Sequence, residues 1–192
     1  MVNLSTKLLD IAKELTKIAK DLQSNEQEPT SKNIVSILDD FFSPKEVSAA
    51  TFIVEQEGFL FEAQDIGDGK ITSGIGLTDT GRNLGDKVSP REAVKELKER
   101  IDKIERPALE KLKEVIPFKL TENQETVLLS LMFNIGVHAL RTSDAMKYLK
   151  DNKIEDFKRE AFSKDEGWVK SAGKFSQGLY NRRQRELKLW DK

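Results

Sequence analysis

Residues Glu57 to Gly76 read EGFLFEAQDIGDGKITSGIG, and this stretch gathers the groups of the chain best placed to do chemistry. Glu57 closes an apolar, helix-like run. Asp65 and Asp68 follow inside a glycine-rich segment, and Thr72 stands just before Gly74-Ile75-Gly76. Carboxylates on a glycine-shaped hairpin can act as general acid and base, ligate a cation, or stand in solvent as turn residues. The segment DIGDG lacks the spaced oxygen ligands and closing glutamate of a calcium loop, so no metal is expected there. With no cysteine and a single histidine, His138, thiolate sites, a Cys nucleophile and a His-rich metal site are excluded, and a Ser-His-Asp triad is not expected. Any acid–base chemistry must rest on Asp and Glu.

Three motifs announce the helices that would position these groups. SPKE at 43–46, SPRE at 89–92 and TENQ at 121–124 each place Ser or Thr three residues before Glu or Gln, the pattern of a capping box. The first opens a helix that should run to Glu57 and stop at Gly58. Before it, NIVSILDDFF predicts a short apolar helix. After it, FLFEAQ and KITSGIG predict β-strands, and the Asp68-Gly69 pair predicts a tight turn in a hairpin or three-stranded meander. From 89 to 114 a long charged helix is expected, kinked or split at Pro107. Residues 121–135 carry Val127, Leu128, Leu131, Met132 and Ile135, which marks the central core helix, ended by Gly136. Three or four shorter helices should fill 138–190, with His138 capping or solvated. The fold class is α+β, a small sheet lobe beside a larger helical lobe.

The remaining segment reads differently. Leu4, Leu8, Ile11, Leu15, Ile18 and Leu22 recur at the alternating steps of four and three of a coiled-coil seam. The polar stretch QSNEQEPTSKN after them reads as a linker. We therefore expect two units: residues 1–33, a heptad-pattern helix and linker for docking or oligomerisation, and residues 34–192, the folded domain with a short lead-in helix. The net charge of −1 gives no global field toward nucleic acid or membrane. No apolar run is long enough to span a bilayer, and the N-terminus has no continuous apolar core of a signal peptide. Synthesis in the cytosol is the expectation.

The stretch from Glu57 to Gly76 resembles the signature of phage-type muramidases, the endolysin lysozymes of glycoside hydrolase family twenty-four. There a Glu-Gly at a helix end precedes a hairpin bearing an Asp, then a Thr, then Gly-x-Gly. TENQETVLLSLMFNIG and GLYNRRQRELKLW, near the chain end, are similar to the helical lobe of that family. The resemblance covers roughly residues 44–192. It implies a lysozyme-like fold and cleavage of the β-1,4 bond between N-acetylmuramic acid and N-acetylglucosamine in bacterial peptidoglycan, with inversion and no cofactor. It makes Glu57 the general acid. Thr72, fifteen positions later, would orient the attacking water, and an aspartate would stabilise charge or assist the water. Phe59 and Phe61 beside Glu57 would bury it in part, which favours a protonated carboxyl.

The aspartate is where the chain departs from the family. Counted from Glu57, the family position falls on Ile66. Asp65 stands one place early and Asp68 two places late, within the turn. Asp65 is preferred, provided that a bulge turns it toward the cleft, because a shift of one residue reverses a strand side chain. Gln64 replaces the family's aromatic, Leu77 its histidine, and Thr72-Ser73-Gly74 its Thr-Ile-Gly. The alternative is a weak or inactive wall-binding protein that kept the fold. From Gly167 onward seven basic residues face two acidic ones; Arg182, Arg183 and Glu186 are read as an ion-pair group packing the last helix, not as a nucleic-acid site. The implied partner is peptidoglycan. Residues 1–24 would bind a phage tail or baseplate protein, or a second copy. The protein would reside in the host cytoplasm before lysis, or on the virion.

Overall fold

The computed structural model describes residues 34–192 apart from Asp68 and Asp79; the heptad segment, its linker and Asp68 lie outside the described residues. All three capping motifs open helices. Ser43 donates its amide and hydroxyl to Glu46 Oε2 at 2.9 and 2.7 Å, and α1 runs Pro44–Glu57. Ser89 does the same for Glu92, its amide at 2.9 Å, before α2, Pro90–Arg100. The Thr121 amide donates to Gln124 Oε1 at 3.0 Å, and Gln124 N returns the bond to Thr121 Oγ1 at 3.2 Å. This opens α4, Glu122–Ile135. Each box satisfies amides that a helix start leaves without internal partners.

Between α2 and α4 the long helix is split as its proline requires, but by a change of pitch. Residues Ile101–Glu105 form a π turn, and α3 continues from Arg106 to Lys113. The Arg106 amide reaches back five residues to the Ile101 carbonyl. Pro107 has no N–H to offer the carbonyl four residues before it, and a wider turn absorbs that missing rung without a break in the axis.

The sheet follows α1 directly. Strands β1 (Leu60–Asp65), β2 (Ile71–Gly74) and β3 (Leu77–Thr78) form an antiparallel sheet in that order. The free edge of β1 is closed by residues 85–88, through Ala63 N to Asp86 O at 2.8 Å and Val88 N to Phe61 O at 2.9 Å. Arg82 then ties the sheet to α2. Its two terminal nitrogens donate to Glu96 at 2.9 and 2.7 Å, and Nη1 also reaches Ser73 Oγ at 3.3 Å.

In the helical lobe α4 is the axis, buried continuously from Thr126 to Phe133 and packed by α1 and α3. Around it stand α5 (Val137–Thr142), α6 (Asp144–Lys150), α7 (Ile154–Phe162) and α8 (Gln177–Trp190). A small hairpin, β4 (Lys170–Ser171) with β5 (Lys174–Phe175), precedes α8 and was not expected. Ahead of α1, the expected apolar helix is seen as helical residues 34–35, which pass into a 3-10 turn at Leu38–Asp40. What holds it is burial of Ile34, Leu38 and Phe42, spaced four apart, in the main core. His138 is exposed at the start of α5. Among the described residues no helix is long and apolar enough to cross a membrane, and no group of three or more His, Asp or Glu is placed to hold a metal ion.

Candidate active site

Glu57 is the last residue of α1. Gly58, at φ 74° and ψ −160°, ends the helix while its amide still bonds the Val54 carbonyl at 2.9 Å. The carboxylate therefore leaves the helix where the chain turns into β1. Its side chain is 17% exposed, and Oε1 accepts a 2.6 Å hydrogen bond from Arg182 Nη1 of α8. Oε2 lies against the β2–β3 turn, where a Cβ on Gly76 would come within 2.8 Å of it. Gly76 also has φ +64°, a conformation that side chains with a Cβ resist. Glycine is thus needed there twice, for the turn and for the room it leaves the carboxylate. Beside the apolar setting expected from Phe59 and Phe61, Glu57 thus meets a cation on one side.

That cation is itself held on every side. Arg182 Nε donates to Glu186 Oε1 at 3.2 Å, and Nη2 donates to the Ser130 carbonyl and hydroxyl, both at 3.2 Å. Ser130 Oγ donates to Glu186 Oε1 at 2.6 Å. Arg183 Nη2 donates to the same Glu186 oxygen at 3.0 Å and to Asn134 Oδ1 at 3.1 Å. Burial draws the Arg183 guanidinium below its ordinary value, against the pull of Glu186 upward. The ion-pair group expected from the sequence is present. Its extension to Glu57 was not foreseen, nor was the part of Ser130. The signal for both was a small polar residue in the middle of the most apolar helix, with Arg and Glu four apart in another.

Thr72 lies in β2, almost wholly buried, and among the described residues its Oγ1 has no hydrogen-bond partner. A buried hydroxyl without a partner is uncommon and is free to bind a water or a ligand. Its cross-strand neighbours are Gln64 on β1 and Thr78 on β3, and residues directly opposite share a face of the sheet. Asp65 pairs with Ile71, so it lies on the other face. The bulge that Asp65 needed does occur, between Leu60 and Gln64, yet the register beyond it still separates Asp65 from Thr72. Asp65 is exposed and occupied: its Oδ1 accepts from Gly67 N at 2.8 Å and Gly69 N at 3.1 Å. It fastens the hairpin turn. Ile66, at the family's aspartate position, is 62% exposed. Leu77, where the family has histidine, is buried in the core.

A model of the phage lysozyme family matches residues 54–186, which include every residue of this site. The chain is 32% identical over 139 residues to an endolysin of Acyrthosiphon pisum secondary endosymbiont phage 1, covering 72% of this chain and 92% of that protein. It is 29% identical over 111 residues to an endolysin of Bacillus phage PZA; that alignment covers 57% of this chain and 42% of the relative's length. In structure it is similar to the muramidase domain of SpmX from Asticaccaulis excentricus, at a TM-score of 0.61 and 25% identity over 74% of this chain and 94% of that domain. The acid at the end of α1, the glycine turn shaped around it and the arginine that α8 supplies all fall inside the matched span, and the chain belongs to the phage lysozyme family, a family of glycoside hydrolases.

Proposed function

We propose that this protein hydrolyses peptidoglycan, cleaving the β-1,4 bond from N-acetylmuramic acid to N-acetylglucosamine with inversion. The observation that carries the reading is the Glu57 carboxylate: one oxygen is anchored on Arg182 and the other lies over a glycine that leaves it uncovered. Glu57 Oε2 would deliver its proton to the glycosidic oxygen as the bond to the anomeric carbon breaks. The carboxylate left behind is stabilised by the Arg182 contact already in place. Thr72 Oγ1 would accept from, and so orient, the water that attacks the opposite side of the sugar.

Among the described residues no aspartate is paired across the sheet with Thr72, whose neighbours are Gln64 and Thr78, and Asp68 lies outside them. We assign Asp65 to the hairpin turn, with the water's proton passing to solvent. The same observation favours the second reading, a weak or inactive wall-binding protein. Clearing of purified cell-wall suspensions separates the two. Wild type should clear them, Glu57→Gln should abolish clearing with the fold retained, and Asp65→Asn, whose amide oxygen still accepts from the turn, should clear at close to the wild-type rate. A wild type that never clears removes the enzyme; an inactive Asp65→Asn protein returns Asp65 to the chemistry.

Residues 1–33, outside the family match, would serve delivery: a docking helix for a phage tail or baseplate protein, or for a second copy of this chain. Their heptad spacing supports this part.

A further inference from the structure

We propose that Glu186 is a positioning residue for the reaction, holding Arg182 in the one orientation that gives Glu57 a single N–H and offsetting part of the positive charge that bears on it. The inference rests on Glu57 as the acid, and begins from the donor count. A guanidinium has five N–H groups in a rigid fork. In Arg182, Nε is taken by Glu186 and Nη2 by Ser130, leaving Nη1 toward Glu57. Glu186 Oε1 in turn receives Arg182, Arg183 and Ser130, and the glutamate is fully buried. Nothing about its environment is that of a surface salt bridge. It is the hub through which two helices fix the angle of one arginine.

The charges give Glu186 a second part. Facing Glu57 from α8 are Arg182 directly and Arg183 behind it, with Glu186 between them. Arg185 of the same helix is spent on Gln56 Oε1, at 2.8 and 2.6 Å. Among the described residues, α4 meets these arginines with the neutral Ser130 and Asn134, and the β2–β3 turn lays Gly76 against Glu57. Two guanidinium groups thus stand against two carboxylates. Without the charge of Glu186 both would act on Glu57 alone, which favours its ionised form in such a variant. An acid that has lost its proton cannot begin the reaction.

The test is the pH profile of cell-wall clearing by the full chain. Glu186→Gln keeps the shape and an acceptor oxygen but removes the charge. We expect about a tenfold loss at neutral pH that is recovered at lower pH, with the upper edge of the profile displaced downward by about one pH unit. Arg183→Gln removes the opposing charge, and should move the same edge upward, which keeps the proposal open to refutation if Glu186→Gln does not fold. An equal fractional loss at every pH, or an upper edge that stays in place in the folded variants, would reduce Glu186 to a structural ion pair. Wild-type clearing that is abolished in Glu57→Gln must be present in the same assay; if it is absent, the acid assignment has failed, and not the role of Glu186.

Discussion

At the scale of single residues, the site depends as much on groups that are missing as on those present. Gly76 lends Glu57 the space of one methyl group. Gly76→Ala should lower stability by roughly 1 kcal/mol from the left-handed backbone alone, and should lower clearing further than that loss of stability explains, because the new carbon meets Glu57 Oε2. Thermal melting and cell-wall clearing of the same preparation separate the two effects. Thr72 offers the converse case. A buried hydroxyl left without a partner costs about 1–3 kcal/mol, so Thr72→Val should leave the melting temperature unchanged or raised. If that hydroxyl orients the water, clearing should nonetheless fall by about 10²-fold, the scale of a misplaced reactant. A valine variant that clears normally would leave Thr72 as a strand residue only. The places of Glu57 at a helix end and of Thr72 on a strand were legible in the sequence because the signals for them are local. Arg182 as the partner of Glu57 was not, since the two are 125 positions apart and the packing of α1 and α8 on the same helix, α4, brings them together.

At the scale of elements, the capped helices were readable to the residue, because a capping box is a contact between neighbours in sequence. The irregular elements were not, because packing decides them. The lead-in segment passes from helix into a 3-10 turn around three buried side chains, and the long helix takes up a π turn just before its proline. That turn buries Glu105 completely, with Arg100 Nε on Oε1 at 3.1 Å and, among the described residues, no hydrogen-bond partner for Oε2. Arg100 also donates to the Phe133 carbonyl at 3.2 Å, so the turn is clasped to the C-terminal end of α4. Burial raises the Glu105 pKa above its usual 4.5, and Arg100 offsets the shift only in part. The sign follows from the linkage of protonation to folding. A carboxyl whose folded value lies above its unfolded value adds stability below the unfolded value, and that contribution is lost as pH rises through the folded one. Glu105→Gln should therefore flatten the stability curve above about pH 4.5, read from urea unfolding at a series of pH values. A Gln variant with the same slope as wild type would show that Glu105 is not the group responsible.

At the scale of the whole molecule, the α+β lysozyme fold was legible because its sheet signals and its helix signals occupy separate stretches of the chain. The second hairpin, at Lys170–Phe175, escaped because strands of two residues carry no alternation to read. The same separation allows the N-terminal segment to be tested by itself. A chain beginning at Asn33 should clear cell walls like the full chain. If residues 1–24 join two copies, light scattering during size exclusion should find the full chain at twice the mass expected for one copy and the shortened chain at one; a monomer in both cases would remove self-association.

Glu57 is translated early in the chain, and the arginine that grips it comes far later, on α8. A ribosome must therefore pass residue 182 before Glu57 can meet its partner, and any fragment that stops short of α8 would carry the glutamate without its clamp. Docking of α8 is in this sense the step that completes the clamp, and loss of that helix to a protease would free the Glu57 carboxylate while leaving the glutamate itself intact.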